Sequence, residues 1–183
     1  KTGRQIKDDE IIAGGKKYEL SNPVKGSVIA WVRPQPANAL QRLSVSRNGR
    51  YFMTEDGKPF FWLGDTGWLL FSKLKRSEAI RYLDDRKEKE YNVVQAMVLH
   101  TLQVVNAYGD SALINKNVST PRITDDADYW DHIDYIVDAA AEREIYVAMV
   151  PVWGGNVKAG HVSVEEAKKY AAYLANLYKN KKN

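Results

Sequence analysis

Cysteine is absent from all 183 residues, so the fold can rest on neither a disulfide framework nor a thiolate metal site. Histidine is scarce: only His100, His132 and His161 occur, and no two of them stand at metal-ligand spacing. No apolar run approaches the roughly 20 residues that cross a bilayer, which excludes a membrane-spanning helix. A nucleophile elbow around a serine and a phosphate-cradling glycine loop at the start of a helix are both missing, and Gly154-Gly155 alone is a weak signal. Charge of one sign is not concentrated either. The net +4 comes from dispersed Lys and Arg, clustered only at Lys16-Lys17 and Lys179 to Lys182, so no nucleic-acid partner is expected.

What is present suits one globular domain, with 44% apolar and 27% charged residues. The first residue is Lys, from which a processed or engineered start is an expectation; a removed secretory signal is one form of it and leaves no trace in these residues. Residues 1–42 read as an N-terminal arm, interrupted by Gly14-Gly15, Pro23, Pro34 and Pro36 and regular only at Val28 to Val32. It is expected to wrap over the domain or to be partly disordered. Residues 43–183 carry sharper signals. Leu43 to Arg47, Tyr51 to Thr54 and Lys58 to Leu63 are separated by Asn48-Gly49 and Asp56-Gly57, the dipeptides that tight hairpins need, which predicts a three-strand β meander. Its last run, Phe60 to Leu63, is apolar without alternation and is expected to double as the first strand of a parallel sheet, buried on both faces.

A helix capped by Ser77 follows, with Ile80 and Leu83 inward and Arg81, Asp84, Asp85 and Lys87 outward. Asn92 to Leu99 reads as a second buried strand. The polar segment His100 to Asp126 is too long for a plain connection, so it is either functional or decorated with short elements. Trp130, Ile133, Val137, Ala140 and Ala141 give a helix, Ile145 to Val150 a third strand, and Pro151 to His161 a loop. Ser163 and Glu166 form a capping box that opens a last helix with Ala167, Tyr170, Ala171, Leu174 and Tyr178 on one face. Strand and helix alternate three times, as in α/β folds with a parallel sheet and right-handed crossovers. The expected class is a TIM (β/α)₈ barrel of which only the first three to four βα units are present, since a whole barrel takes about 250 residues. The missing strands would come from a longer chain or a second chain. A small, self-sufficient three-layer α/β domain is the competing reading.

In parallel α/β folds ligands sit beyond the carboxyl ends of the strands. Those ends carry Asp65 and Trp68, then His100 with Thr101 and Gln103, then Trp153 and Asn156. Flat indoles beside amides and hydroxyls suit sugars, whose C–H faces stack on aromatic rings while their hydroxyls need directional partners. Tyr108, in Tyr108-Gly109-Asp110, is a further candidate for the cleft. Each residue also has a structural reading: Asp65 as a turn or helix cap, His100 satisfied by backbone, Tyr108 packing its own loop, Trp62 in the core, and His132 and His161 at the surface or in packing. Glycoside hydrolysis generally takes two carboxyl groups, about 5–5.5 Å apart for retention and ~6.5–9.5 Å for inversion. Only Asp65 lies at a strand end, so that pair cannot be assembled here. Besides a glycosidase, the residues admit a non-catalytic carbohydrate-binding or assembly subunit, and an enzyme using Asp65 and His100 as an acid/base pair.

From Leu43 to Lys179 the chain resembles the amino-terminal half of the barrel domain in apiosidase-like bacterial glycoside hydrolases. The resemblance rests on Ser46 to Tyr51, Pro59 to Leu70 with its Trp62-Leu63-Gly64-Asp65-Thr66 run, Tyr91 to Gln95, Tyr108-Gly109-Asp110, Tyr129 to His132 and Val150 to Gly154. It implies a cofactor-free, secreted or periplasmic glycosidase acting on side chains of plant pectin. The acid/base carboxylate would follow the fourth strand and its partner a later one, both beyond Asn183. Asp65, Trp68, His100, Trp153 and Asn156 would then shape the sugar-binding cleft. Three positions depart from the family's pattern: Glu90 and Glu144 stand where glycine is usual, and Gln103 where proline is. The first two lie between a helix and a strand, where a left-handed residue costs a non-glycine about 1 kcal/mol.

Overall fold

The structure, a computed structural model, describes residues 10–13, 16–19, 40–125 and 127–183. The chain divides into two compact units, Lys1–Pro34 and Gln35–Asn183. In the first, β1 (Glu10–Ala13) pairs antiparallel with β2 (Lys16–Glu19), Glu10 opposite Glu19 and Ala13 opposite Lys16. These strands fall in the expected irregular arm, where Ile11, Ile12 and Tyr18 supply the β-forming tendency. The apolar stretch Val28 to Val32 lies outside the described residues.

The second unit opens with a small antiparallel sheet, β3 (Ser44–Val45), β4 (Phe52–Met53) and β5 (Pro59–Phe60). Its turns fall at the two expected dipeptides, where Gly49 and Gly57 take φ of 70° and 80° and donate to the Ser46 and Thr54 carbonyls at 2.8 and 2.9 Å. The end of the arm is tied to this unit: the Gln41 carbonyl accepts from the Tyr146 hydroxyl, and its side chain accepts from the Asp56 amide at 2.9 Å.

β6 (Gly64–Thr66), β7 (Val93–Leu99) and β8 (Tyr146–Val152) then form a parallel sheet in that order, with Asp65 beside Val94 and Val94 beside Val147. The expectation that Phe60 to Leu63 is the first parallel strand is corrected here. Phe60 pairs with Phe52 in the antiparallel sheet and sets its ring edge-on to Tyr146 at 5.1 Å, closing the amino end of the parallel one. Asn92 carries the chain across to β6, its side chain donating to the Phe61 carbonyl at 2.7 Å and accepting from the Leu63 amide at 2.9 Å. Phe61 and Trp62 are 78% and 45% exposed, so Trp62 is not a core residue; its indole lies across Gly64, where a Cβ would come within 2.7 Å of the ring nitrogen. Continuous apolarity marks a crossing segment here, because a side-chain amide satisfies the backbone that a neighbouring strand would otherwise have to pair.

The helices are α1 (Leu70–Lys73), α2 (Arg76–Glu88), α3 (Tyr129–Ala141), α4 (Gly154–Lys158) and α5 (Val164–Tyr178). Ser77 is inside α2 and does not cap it: Lys75 is the N-cap, and the Glu78 carboxylate accepts from its amide at 2.8 Å. Asp128 caps α3 through the Trp130 and Asp131 amides at 2.7 and 3.0 Å. Ser163 and Glu166 form the expected box on α5. The loop read from Pro151 to His161 contains the end of β8 and the single turn of α4. The long segment after β7 carries two isolated bridges, Val105 with Ser111 and Leu113 with Pro121, and buries Val104, Ala112, Leu113 and Val118.

α2 and α3 cover one face of the parallel sheet, where Val94, Ala96 and Val98 are buried against Leu83, Ile133 and Ile136. Each valine, leucine or isoleucine among them contributes about 1.5–3 kcal/mol by leaving water. On the opposite face Val93, Met97, Leu99 and Tyr146 are buried, Gln95, Ala148 and Val150 are half-buried, and Thr66 is exposed. Beside β8 a cavity of about 220 Å³ is lined by Val152, Val157, Val162, Val164, Ala167 and Tyr170. No helix among the described residues is long and apolar enough to cross a membrane.

Candidate functional site

The carboxyl ends of the three parallel strands bring four of the six sequence-derived residues together. Trp68, just past β6, and Trp153, just past β8, meet edge to face with ring centroids 6.1 Å apart, and they remain 37% and 49% exposed. Their backbones are clasped to the strand between them: Met97 donates to the Trp68 carbonyl at 3.1 Å, and Trp153 donates to the Leu99 carbonyl at 3.0 Å. Asn156, in α4, donates from its side-chain amide to the His100 and Trp153 carbonyls, each at 3.2 Å, and so joins the exits of β7 and β8. His100 is exposed. Gly154 leaves open space beside Trp153, which keeps the indole approachable.

Asp65 is placed elsewhere. Strand alternation turns it, with Val94, toward α2. Its carboxylate accepts from the Thr66 amide at 2.8 Å, the Tyr82 hydroxyl at 2.7 Å and the Arg86 guanidinium at 2.6 Å. The hydrogen bond from Tyr82, reinforced by Arg86, holds the carboxyl below the usual carboxylate range. Burial, and then the bond to Asp65, push the Tyr82 phenol up. An acid/base pair with His100 is thereby removed: His100 stands six residues along β7 from Val94, roughly 20 Å at about 3.3 Å per residue.

Tyr108 is likewise engaged in packing. Its hydroxyl accepts from the Arg76 amide at the start of α2, at 2.9 Å, and its ring meets the buried His132 edge to face at 5.4 Å. His132 bonds the Leu74 carbonyl at 3.0 Å, and burial lowers its proton affinity. Sequence reasoning passed over Tyr82 and Arg86. Their four-residue spacing on the side of α2 opposite Arg81 and Asp84 is the signal that identifies them.

Two exposed indoles at the mouth of a parallel sheet, with amides and backbone carbonyls beside them, can stack and hydrogen-bond a polyhydroxylated ligand. They cannot by themselves transfer protons. The segments that directly follow the strands, 67–69, 100–109 and 153–162, contain no Asp or Glu.

Residues 46–183 match the family described as "Apiosidase-like, catalytic domain". Among solved structures, a glycoside hydrolase is 41% identical with a TM-score of 0.72, over 78% of this chain and 32% of that one. A glycoside hydrolase family 5 protein from Bacteroides vulgatus ATCC 8482 is also 41% identical, with a TM-score of 0.73, over 78% of this chain and 31% of that one. The endo-1,4-beta-mannanase from Rhizomucor miehei, at 19% identity and a TM-score of 0.52 over 78% and 43% of the two chains, shares the fold. A comparison with curated proteins finds no match. The chain spans about a third of the length of the first two structures. With three quarters of its residues matched in order, the chain belongs to the apiosidase-like catalytic-domain family.

Proposed function

We propose that this chain supplies part of the sugar-binding cleft of a glycosidase acting on plant cell-wall polysaccharide, of pectic or related type, within a (β/α)₈ barrel whose remaining strands lie outside residues 1–183. The exposed Trp68 and Trp153 pair at the carboxyl ends of β6 and β8 carries this reading. An indole face matches the C–H face of a sugar ring, and Asn156 and His100 offer polar partners at its rim. The half-buried Ala148 and Val150 of β8 and the apolar groove beside α5 are surfaces against which further strands and helices would pack. The two catalytic carboxylates belong to that remainder, since the strand exits present here carry none. A polymer of plant walls is met outside the cell, so export goes with this reading.

The test has two arms. Isothermal calorimetry with pectic oligosaccharides should give binding that Trp68→Ala or Trp153→Ala abolishes. A chain extended to the length of the solved relatives should hydrolyse the same oligosaccharides, while residues 1–183 bind without turnover. Turnover by the short chain at a comparable rate would refute the placement of the carboxylates. Binding without hydrolysis by both chains would favour the second reading, a non-catalytic carbohydrate-binding subunit that uses the same indole pair.

A further inference from the structure

We infer that Asp65, with Tyr82, Arg86 and Gly67, is a positioning device that sets the angle of Trp68 against Trp153, and that Asp65 is not itself a sugar ligand.

β6 is short. Its pairing with β7 ends at Thr66 beside Gln95, so Trp68 lies outside the ladder, its carbonyl accepting from the Met97 amide of β7. Where the chain points on leaving β6 therefore depends on what grips residues 65 to 67. That grip comes from α2. Tyr82 and Arg86, one turn apart on the helix, both reach Oδ2 of Asp65, while Oδ1 accepts the Thr66 amide. All three side-chain contacts fall between 2.6 and 2.8 Å, the range of charge-assisted bonds.

The guanidinium is fixed from its other sides. It bonds to Asp85, and it lies 5.1 Å from the Tyr82 ring centre and 5.3 Å from that of Tyr91. Gly67 completes the device, because a Cβ there would stand 3.0 Å from both the Tyr82 hydroxyl and Val94 Cγ1. A larger residue would crowd the tyrosine where it passes beneath the strand exit to reach Asp65. Trp68 is the next residue. Its relevance to sugar rests on the function proposed above; its dependence on Asp65 does not.

The experiment reads the indole N–H resonances of the intact 183-residue chain by NMR, with Trp68 and Trp153 assigned from their Trp→Phe variants. Asp65→Asn and Tyr82→Phe should each move both resonances. That of Trp130, whose ring donates to the Ala112 carbonyl in the core, should stay in place as an internal control. Tyr82→Phe keeps the ring and deletes only the hydroxyl, so it remains informative where Asp65→Asn fails to fold. Unmoved Trp68 and Trp153 signals in Tyr82→Phe, or a shift of Trp130 as large as theirs, would overturn the inference. In calorimetry with pectic oligosaccharides the same variant should bind several-fold more weakly. Wild-type protein that binds none of them would sink the sugar reading and leave the indole result standing.

Discussion

The Glu144 carboxylate lies 2.5 Å from the Lys87 ammonium, joining the end of α3 to the end of α2, and it does so from a residue whose own φ is 58°. Glu90 occupies the equivalent place after α2, with φ 63°. Both close their helices in the same way. Tyr91 and Glu90 donate to the Arg86 and Lys87 carbonyls, and Ile145 and Glu144 to those of Ala140 and Ala141, the paired bonds of a Schellman motif. The motif wants glycine at the left-handed position. Glu90→Gly should therefore stabilise the protein by about 1 kcal/mol. Glu144→Gly should gain less, because it also gives up an exposed ion pair worth about 0–1 kcal/mol. Urea denaturation midpoints at constant slope measure both, and a loss of stability in Glu90→Gly would show the left-handed residue to be unstrained.

A methyl group at residue 67 is expected to be costly. Gly67→Ala places a Cβ 3.0 Å from the Tyr82 hydroxyl and from Val94, and overpacking of this kind costs about 1–3 kcal/mol. Tyr82→Phe removes one of the two obstacles. The double variant should be less destabilised than the sum of the single ones, whereas strict additivity would mean that Gly67 is required for some other reason.

These positions also mark how far the sequence could be read. The order of elements was legible because β7 and β8 are largely β-branched or apolar and lie among amphipathic helices, the last of them opened by the Ser163 with Glu166 box. The glutamates at the left-handed joints were legible through the family resemblance, which implies glycine at both places. The start of the parallel sheet was not. Phe60 to Leu63 is as apolar as a buried strand, and only the tertiary fact that Asn92 bonds Phe61 and Leu63 turns it into a crossing. The strand-end rule leads to Trp68, His100, Trp153 and Asn156, which lie together at one end of the sheet. Asp65 lies apart from them, because a three-residue strand beginning at Gly64 puts that carboxylate inside the sheet and on its helical side. The four-residue spacing marks Tyr82 and Arg86 as a pair on one side of α2, but only the tertiary fold brings them to Asp65 from 17 and 21 residues away.

Stability at low pH should report the same carboxylate. Its folded proton affinity is depressed below the ordinary 3.8, so its contribution is complete above that pH and is lost as the pH falls through the lower folded value. The groups facing it are Tyr82 and Arg86, and Asp85 shares the guanidinium. Asp65→Asn should lower stability at neutral pH by about 1–3 kcal/mol and flatten the fall of stability below pH 3.8. Denaturation midpoints measured from pH 7 downward decide it. A variant whose acid limb is as steep as that of the wild type would mean that other carboxylates govern acid unfolding.

Two tyrosine hydroxyls offer a final contrast between burial and exposure. Tyr129 is fully buried at the start of α3 and donates to the Val98 carbonyl of β7 at 2.6 Å, so it ties helix to sheet where water cannot substitute. Tyr108 is 52% exposed, and its hydroxyl accepts from the Arg76 amide at a helix end that water can reach. Tyr129→Phe should cost about 1–3 kcal/mol, the penalty for a buried polar partner left unmet, and Tyr108→Phe about 0.5 kcal/mol. Neither should alter oligosaccharide affinity, because neither hydroxyl belongs to the indole pair. Thermal and urea unfolding give the first comparison and calorimetry the second. A marked loss of affinity in Tyr108→Phe would return that residue to the cleft and show that the segment after β7 closes over the sugar.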